Sequence, residues 1–303
     1  MDILIPLLLI ALLALLSSAK VTLQGKVSRG FIKNSQDSIL FNAILFFLIA
    51  TLIFALFDFG EVDETIIACA IGGGLLNVVF QTSYIMALSS GPVSLTVLIH
   101  NFSVLISTAF SCIAFHDDLY LPQGFGLVLL IVSFFLSVKP DSSGRKINSK
   151  WITFAVLTCI SNGLIACVSK WVAKTSDVEG ASATYLHLMY LIAAVLAFIF
   201  YLIRRLTGKK EKCTFRFSWK VLLSALGVAT ILCFYQRLYV FAMKHIPGAI
   251  QFPTQAGLQS VIMALIGVFF FRDKLSRRQI AGIVCGVACV VLMNLKIGPC
   301  LVI

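Results

Sequence analysis

Charged residues are scarce in this chain. Of its 303 residues only 12% are charged, whereas 59% are hydrophobic, and the mean hydropathy is +1.00. Soluble domains are about one quarter charged, and a soluble core of this size could not hide so much apolar surface. A helix of about 20 apolar residues spans a bilayer, and such stretches recur along the whole chain. The composition therefore predicts an all-α polytopic membrane protein.

Acidic residues are fewer than basic residues, 13 against 24. All of them are predicted at chain ends or in loops: Asp2, Asp37, Asp58, Glu61, Asp63, Glu64, Asp117, Asp118, Asp141, Asp177, Glu179, Glu211 and Asp273. A proton-coupled exporter of cationic drugs needs a membrane-embedded acid, because an unpaired charge is costly there. The absence of such an acid disfavours that class. It also leaves no Ser-His-Asp arrangement at membrane depth, so no catalytic residue is expected and the chain is predicted not to be an enzyme.

Motifs for metals and nucleotides are absent as well. The nine cysteines include no C-x-x-C pair, and we interpret them as small apolar packing residues. The glycines at 72–74 lie in an apolar stretch without the Lys-Ser/Thr of a P-loop. No metal site and no cofactor is therefore expected, and the energy for any transport should come from an ion or substrate gradient.

The apolar stretches predict ten membrane spans. The first could be a signal peptide, but Asp2 stands where a positive residue is expected. The predicted spans are 3–25, 39–57, 65–88, 92–114, 120–138, 151–172, 183–205, 218–243, 247–270 and 278–296. The polar joint at 141–150 is the predicted linker. It separates a first five-helix repeat, 1–140, from a second, 151–303.

The two halves repeat each other in sequence. Identities displaced by 155 residues are Gln81 and Gln236, Tyr84 and Tyr239, Ala87 and Ala242, Pro92 and Pro247, and Gly72 and Gly227. The phrase that begins at Asp117 returns at Asp273, displaced by 156. Because five spans is an odd number, the second half must enter the membrane in the opposite sense. The prediction is ten transmembrane helices arranged as two inverted five-helix repeats, which many secondary transporters share with channels and a few membrane enzymes.

The ends of the two halves carry a resemblance to a known family. The first has A-L-S-S-G-P-V-S-L-T from Ala87 to Thr96, with an acidic-Leu turn at Asp117 and a glycine-containing last helix. The second copy runs from Ala242 to Leu295. Both resemble the EamA-type family of the drug/metabolite transporter superfamily, although members commonly show Glu at the turn. The resemblance implies ten helices, a central cavity between the halves and transport of metabolites without a bound cofactor. Small multidrug members use a first-helix Glu, which this chain lacks.

Basic residues supply the charge inside the predicted spans. Lys20 lies late in span one and Arg237 lies inside span eight, with no acid in the same stretch. Both could attract an anionic or zwitterionic substrate. Alternatively, they could snorkel to the interface or bond to backbone carbonyls. Lys170 and Lys174, at the end of span six, are predicted to snorkel.

Uncharged polar residues form stripes on several spans. One stripe lies on span four and consists of Thr96, His100, Ser103 and Ser107. Its first two residues map to Gln251 and Gln255 in the second half. A polar stripe is disfavoured in lipid, so these faces are predicted to line a cavity or to bond helices together. His100 and His187 could also carry a coupling proton, but a neutral histidine bonded between helices is the alternative.

The predicted substrate-binding or translocation residues combine these groups with the polar faces of spans three, seven and eight. They are Lys20, Asn77, Gln81, Tyr84, Thr96, His100, His187, Tyr190, Gln236, Arg237, Tyr239, Gln251 and Gln255. The faces of spans three and eight are repeated between the halves, and repetition serves the fold as well as it serves a site. The small pairs Gly282 with Gly286 and Ala68 with Gly72 are predicted to permit close helix contact.

Basic loops predict the orientation. A net charge of +11 could indicate nucleic acid in a soluble protein, but here most Lys and Arg cluster in the loops after odd-numbered spans. The positive-inside rule puts those loops in the cytoplasm and both termini outside. Nucleic acid is not an expected partner. The expected partners are membrane lipid, a small-molecule substrate and, as an option, a second copy in a homodimer, and the expected location is the plasma (inner) membrane.

The sequence thus predicts a secondary transporter of a small polar metabolite that works by alternating access. An amino acid or organic anion is favoured over a cation, because the embedded charge is basic. The first alternative is an exporter of apolar amines or drugs. The alternative from a different class is a membrane-embedded enzyme or a channel.

Overall fold

Helices account for nearly all of the computed structural model, which describes residues 4–31, 35–90, 93–137, 148–176, 180–207, 219–271, 276–295 and 300. The helices are α1 Leu4–Phe31, α2 Ser35–Leu56, α3 Glu64–Ser90, α4 Val93–Asn101, α5 Ser103–Phe115, α6 Leu121–Ser137, α7 Ser149–Thr175, α8 Ala181–Thr207, α9 Trp219–His245, α10 Gly248–Phe271 and α11 Arg277–Met293. Most of the predicted linker, the turn at Asp273 and most of the loop between α8 and α9 lie outside the described residues.

Each predicted span coincides with a helix to within a few residues, and span four is divided into α4 and α5 at Phe102. Within the described residues, seven helical segments are long and apolar enough to cross a membrane: 5–24, 36–56, 64–88, 95–115, 149–175, 181–207 and 221–245. The prediction of an all-helical polytopic membrane protein is confirmed. Large apolar side chains such as Phe54, Ile113 and Phe269 face outward, as expected of a surface in contact with lipid.

Local polar groups fix several helix ends. The Asn148 side chain accepts a hydrogen bond from the Trp151 N–H at 2.8 Å and so caps α7. A reciprocal capping box of Ser276 and Gln279 opens α11. At the end of α5, His116 adopts a left-handed conformation with φ 50°, and its N–H bonds back to the Ser111 carbonyl. This turn folds the next residues back over the end of α5.

The contacts between helices are preserved when each helix is replaced by its counterpart in the other half. α3 packs against α7 and α8, and α9 packs against α1 and α2 in the same way. α2 lies against α8, and α6 lies against α11. A helix of one half is therefore covered chiefly by helices of the other, and a central space lies between the halves.

Glycines bring two of these helix pairs together. A Cβ at Gly282 would lie 2.8 Å from the Ser137 hydroxyl, so close contact at the predicted pair of Gly282 and Gly286 is confirmed. The other predicted pair is wrong, because Ala68 is exposed and a Cβ at Gly72 would meet nothing within 4 Å. The glycines that approach α8 are Gly73 and Gly74. Spacing alone did not reveal which face of α3 is turned inward.

Two matched substitutions test this contact. A Cβ at Gly74 would lie 2.9 Å from the Met189 carbonyl oxygen and 2.8 Å from Ile192 Cγ2. We expect Gly74→Ala to lower the free energy of unfolding by about 1–3 kcal/mol through overpacking. Gly72→Ala should raise it by up to about 1 kcal/mol, because alanine is the better helix former. Unfolding of detergent-solubilised protein measures both, and equal effects would contradict the assigned face.

Three charged residues are buried or nearly buried where the sequence predicted loops or a snorkelling lysine. Asp37 was predicted in a loop, but it lies in the first turn of α2 and is 0% exposed. Lys170 was predicted to snorkel, but its side chain is 0% exposed, whereas Lys174 is exposed as predicted. Asp117 was predicted in a loop, and it lies there, but its side chain is only 10% exposed and faces Lys170. The turn at His116 is the reason for the position of Asp117, because it points the chain inward.

Candidate substrate cavity

A cavity of about 540 Å³ lies between the two halves. Its lining reaches Ser137, the last residue of α6, and Gln279, in the first turn of α11. Towards the other end of the bundle the lining stops at Ser107 of α5 and Ser169 of α7. We infer that the cavity opens at the end where α6 ends and α11 begins, and that it is closed at the opposite end.

The helices bring most of the predicted site residues to this one space. Nine of the thirteen line the cavity: Lys20, Asn77, Gln81, Tyr84, His100, Tyr190, Gln236, Tyr239 and Gln255. They come from α1, α3, α4, α8, α9 and α10, so residues far apart in sequence share one surface.

The other four predicted residues lie outside the lining. Thr96 is buried and accepts a hydrogen bond from Trp151 Nε1 at 2.8 Å, which joins α4 to α7. His187 Nδ1 lies 3.0 Å from the Ala50 carbonyl oxygen, and its ring packs on Phe54. Both therefore have the helix-joining contacts that the sequence left as an alternative.

Arg237 and Gln251 also point away from the cavity lining. The Arg237 guanidinium donates to the Ser182 hydroxyl and lies 5.4 Å from the centre of the Phe57 ring. The Gln251 side chain is fully buried, and its amide has no hydrogen-bond partner among the described residues. Of the two basic residues predicted to attract a substrate, the structure thus places only Lys20 in the cavity.

Two aromatic pairs line the cavity. Phe80 and Tyr84 of α3 stack with ring centres 5.9 Å apart and planes 21° apart, and His100 lies 5.4 Å from both rings. Tyr235 and Tyr239 of α9 stack at 5.4 Å and 17°. The displacement of 155 residues relates Phe80 to Tyr235 and Tyr84 to Tyr239. Each half therefore presents one stacked pair.

Hydrogen bonds orient the amides of the cavity. Gln236 Nε2 donates to the Tyr190 hydroxyl, and Gln255 Nε2 donates to the Tyr235 hydroxyl at 2.9 Å. Asn162 Nδ2 donates to the Ser103 hydroxyl at 2.7 Å. These bonds fix the amides in place, as a binding site requires of its polar groups.

Sequence reasoning missed three lining residues that the structure makes prominent. Phe80 and Tyr235 are each other's counterparts at the displacement of 155, so the repeat itself could have identified them. Asn162 is a single amide in an apolar stretch, and a polar residue inside a span is an indication of function. Its partner Ser103 belonged to the predicted stripe of span four.

Lys20 is the only charged residue among the described residues that line the cavity. No carboxylate lines it, and within the described part of the chain the Lys20 ammonium has neither a hydrogen-bond acceptor nor an ion-pair partner. The described lining is therefore a mainly aromatic and amide surface with one positive charge that no described residue pairs.

Comparisons with known proteins agree with this architecture. The sequence model of the EamA-like transporter family matches residues 6–139 and again residues 149–295. The Bacillus licheniformis protein named multidrug resistance protein EbrA is 46% identical over 54 residues, which are 18% of this chain and 51% of that protein. The chain thus matches about half the length of this curated relative. A crystal structure of a protein with 16% identity has a TM-score of 0.68, over 96% of this chain and 98% of that one. At that identity the likeness concerns the fold alone.

Proposed function

Since the chain belongs to the EamA-like transporter family, we propose that it moves a small organic anion or zwitterion through the central cavity by alternating access. Members of this family are transporters and not enzymes, and the chain is an integral multi-pass membrane protein. The location expected from the bacterial relative is the plasma membrane. The observation that carries the proposed substrate class is the Lys20 ammonium in the cavity, which no residue of the described part of the chain pairs.

Charge is the first argument for this substrate class. An unpaired ammonium inside a membrane protein is costly, and a carboxylate that enters the cavity would offset that cost with a charge-assisted hydrogen bond. A cation would instead meet a like charge in a cavity whose described lining contains no acid. Anions and zwitterions therefore fit the cavity better than cations do.

Shape is the second argument. The flat faces of the pair Phe80 and Tyr84 and of the pair Tyr235 and Tyr239 belong to the same cavity. Aromatic faces pack well against a flat conjugated ring, and one such contact is worth about 0.5–1.5 kcal/mol beyond the area it buries. Within the anionic class, a substrate with a planar ring is therefore favoured over one with a puckered saturated ring.

The proposed mechanism of alternating access requires ten spans arranged as two inverted repeats, 1–140 and 151–303. In support, repeat-related helices run antiparallel where they touch. Along α2 and α8, Phe46 lies by Tyr190 and Phe54 lies by His187, so the numbers rise on one helix and fall on the other. This is the relation that an inverted repeat requires, and such repeats can exchange their conformations around a fixed site.

An exporter of amines or drugs is the second candidate. The printed name of the bacterial relative favours it, and aromatic faces also attract cations. The ammonium of Lys20 opposes it. A channel is the remaining alternative, and saturable exchange of substrate would contradict that alternative.

Three matched probes separate these candidates in liposomes that contain the purified protein. Phenylacetate has a planar ring and a negative charge, cyclohexylacetate loses the planarity, and phenethylamine reverses the charge. We expect saturable counterflow of phenylacetate, several-fold slower counterflow of cyclohexylacetate, and none of phenethylamine. Counterflow of phenethylamine alone would overturn the proposed substrate class. Equal rates for the two acids would overturn only the preference for a planar ring.

A further inference from the structure

The closed end of the cavity holds a buried ion pair. Lys170 Nζ lies 3.7 Å from Asp117 Oδ2. The same ammonium donates to the carbonyl oxygens of Met243 and Ile246, both at 3.0 Å. Three oxygens from two different segments thus surround a lysine that is fully buried. The ammonium holds the end of α9 against the turn that follows α5.

Asp117 also connects α5, α7 and α9 to a fourth helix, α10. Its Oδ2 accepts a hydrogen bond from the Gly248 N–H, the first residue of α10, at 2.6 Å, and another from the Ser111 hydroxyl. A carboxylate at a helix N-terminus is favourably placed. The single oxygen Oδ2 therefore connects α5, α10 and the ammonium on α7.

The position of this cluster is what connects it to transport. Ser107 and Ser169 are the lining residues of α5 and α7 at the closed end. Ser111 lies one helical turn beyond Ser107, and Lys170 directly follows Ser169. The cluster therefore lies across the closed end. Asp117 belongs to the first predicted half, whereas Lys170 and Gly248 belong to the second, so the cluster joins the two halves.

We propose that the Asp117–Lys170 ion pair is the latch that closes this end of the cavity and that breaks when the cavity opens there. The proposal rests on alternating access at the proposed cavity but not on the substrate class. A buried ion pair suits this role, because its attraction, together with the hydrogen bonds made by the same atoms, exceeds its desolvation penalty only by a small margin. When the end opens, water can replace each partner, so the closed and open states can remain close in free energy.

Labelling of one introduced cysteine tests the latch. Ser107→Cys is placed just inside the closed end, in a background without the native cysteines, in membrane vesicles of both orientations. A membrane-impermeant maleimide should reach it much faster from the open end than from the closed end. The double substitution Asp117→Asn with Lys170→Met removes the ion pair without leaving a buried charge. We expect it to raise the labelling rate from the closed end about tenfold, which corresponds to a shift of about 1.4 kcal/mol in the two-state equilibrium.

Lys174→Gln is the matched control, because Lys174 lies one turn further along α7 and is exposed. It should leave both labelling rates unchanged. An unchanged closed-end rate in the double variant, with open-end labelling intact, would overturn the latch. If Ser107→Cys reacts from neither end in the parent protein, the proposed cavity itself is wrong. Loss of labelling from both ends in the double variant alone would mean that the pair serves folding, which also overturns the latch.

Discussion

Lys20→Gln is expected to lower kcat/KM for an anionic substrate by roughly 10- to 150-fold. The ammonium supplies the positive charge of the described cavity lining, and a hydrogen bond to a charged group is worth about 1.5–3 kcal/mol. Initial rates of phenylacetate counterflow in liposomes measure the effect. Lys20→Arg keeps the charge and should retain a larger part of the activity than Lys20→Gln.

Arg237→Gln is the control for this prediction. Arg237 was the other basic residue predicted to attract substrate, but its guanidinium bonds to Ser182 and lies over Phe57, outside the cavity lining. Its substitution should change kcat/KM much less than Lys20→Gln does. If Arg237→Gln removes transport while Lys20→Gln leaves it intact, the assignment of the anion site to Lys20 is wrong.

Asp117→Asn is expected to lower the free energy of unfolding by about 3–5 kcal/mol. The substitution leaves the Lys170 ammonium fully buried without its counter-charge, and an uncompensated buried charge carries a cost of this size. Lys170→Met, added to Asp117→Asn, removes that charge and should restore most of the lost stability. Denaturant unfolding of the solubilised protein measures each variant.

The comparison of single and double variants is the decisive part of this test. Recovery in the double variant identifies the buried charge as the cause of the instability. Lys174→Gln, on the exposed side of the same helix, should change the free energy of unfolding by no more than about 0.5 kcal/mol. If the double variant is as unstable as Asp117→Asn alone, the ion pair is not what stabilises this region.

The helices were predictable from sequence because burial in lipid leaves a direct mark on composition. A segment that spans the hydrocarbon must be apolar over its whole length, so hydropathy alone locates it. The break at Phe102 is not visible in the hydropathy, because the residues on both sides of it are apolar. It depends on how the chain packs, and sequence patterns carry little information on that.

The candidate site was predictable from sequence where polar residues interrupt apolar stretches. Lys20 and the amides of α3, α9 and α10 stand out in apolar stretches, and the structure brings them to one cavity. Phe80 and Tyr235 were missed because Phe80 carries no polar group and the two residues, although related by the repeat, are not identical. Lys170 was misassigned for another reason, since a lysine near a helix end looks the same whether it faces lipid or a partner.

The isolation of Lys20 has an electrical consequence. The described lining of the empty cavity holds one positive charge, and a bound monoanion would neutralise it. Moving one charge across a membrane at about 100 mV changes the free energy by about 2.3 kcal/mol. In the proposed alternating-access cycle, voltage therefore acts on the return of the empty carrier, while the loaded carrier crosses the field almost unaffected. Membrane potential would then control the rate of net transport but not the rate of exchange.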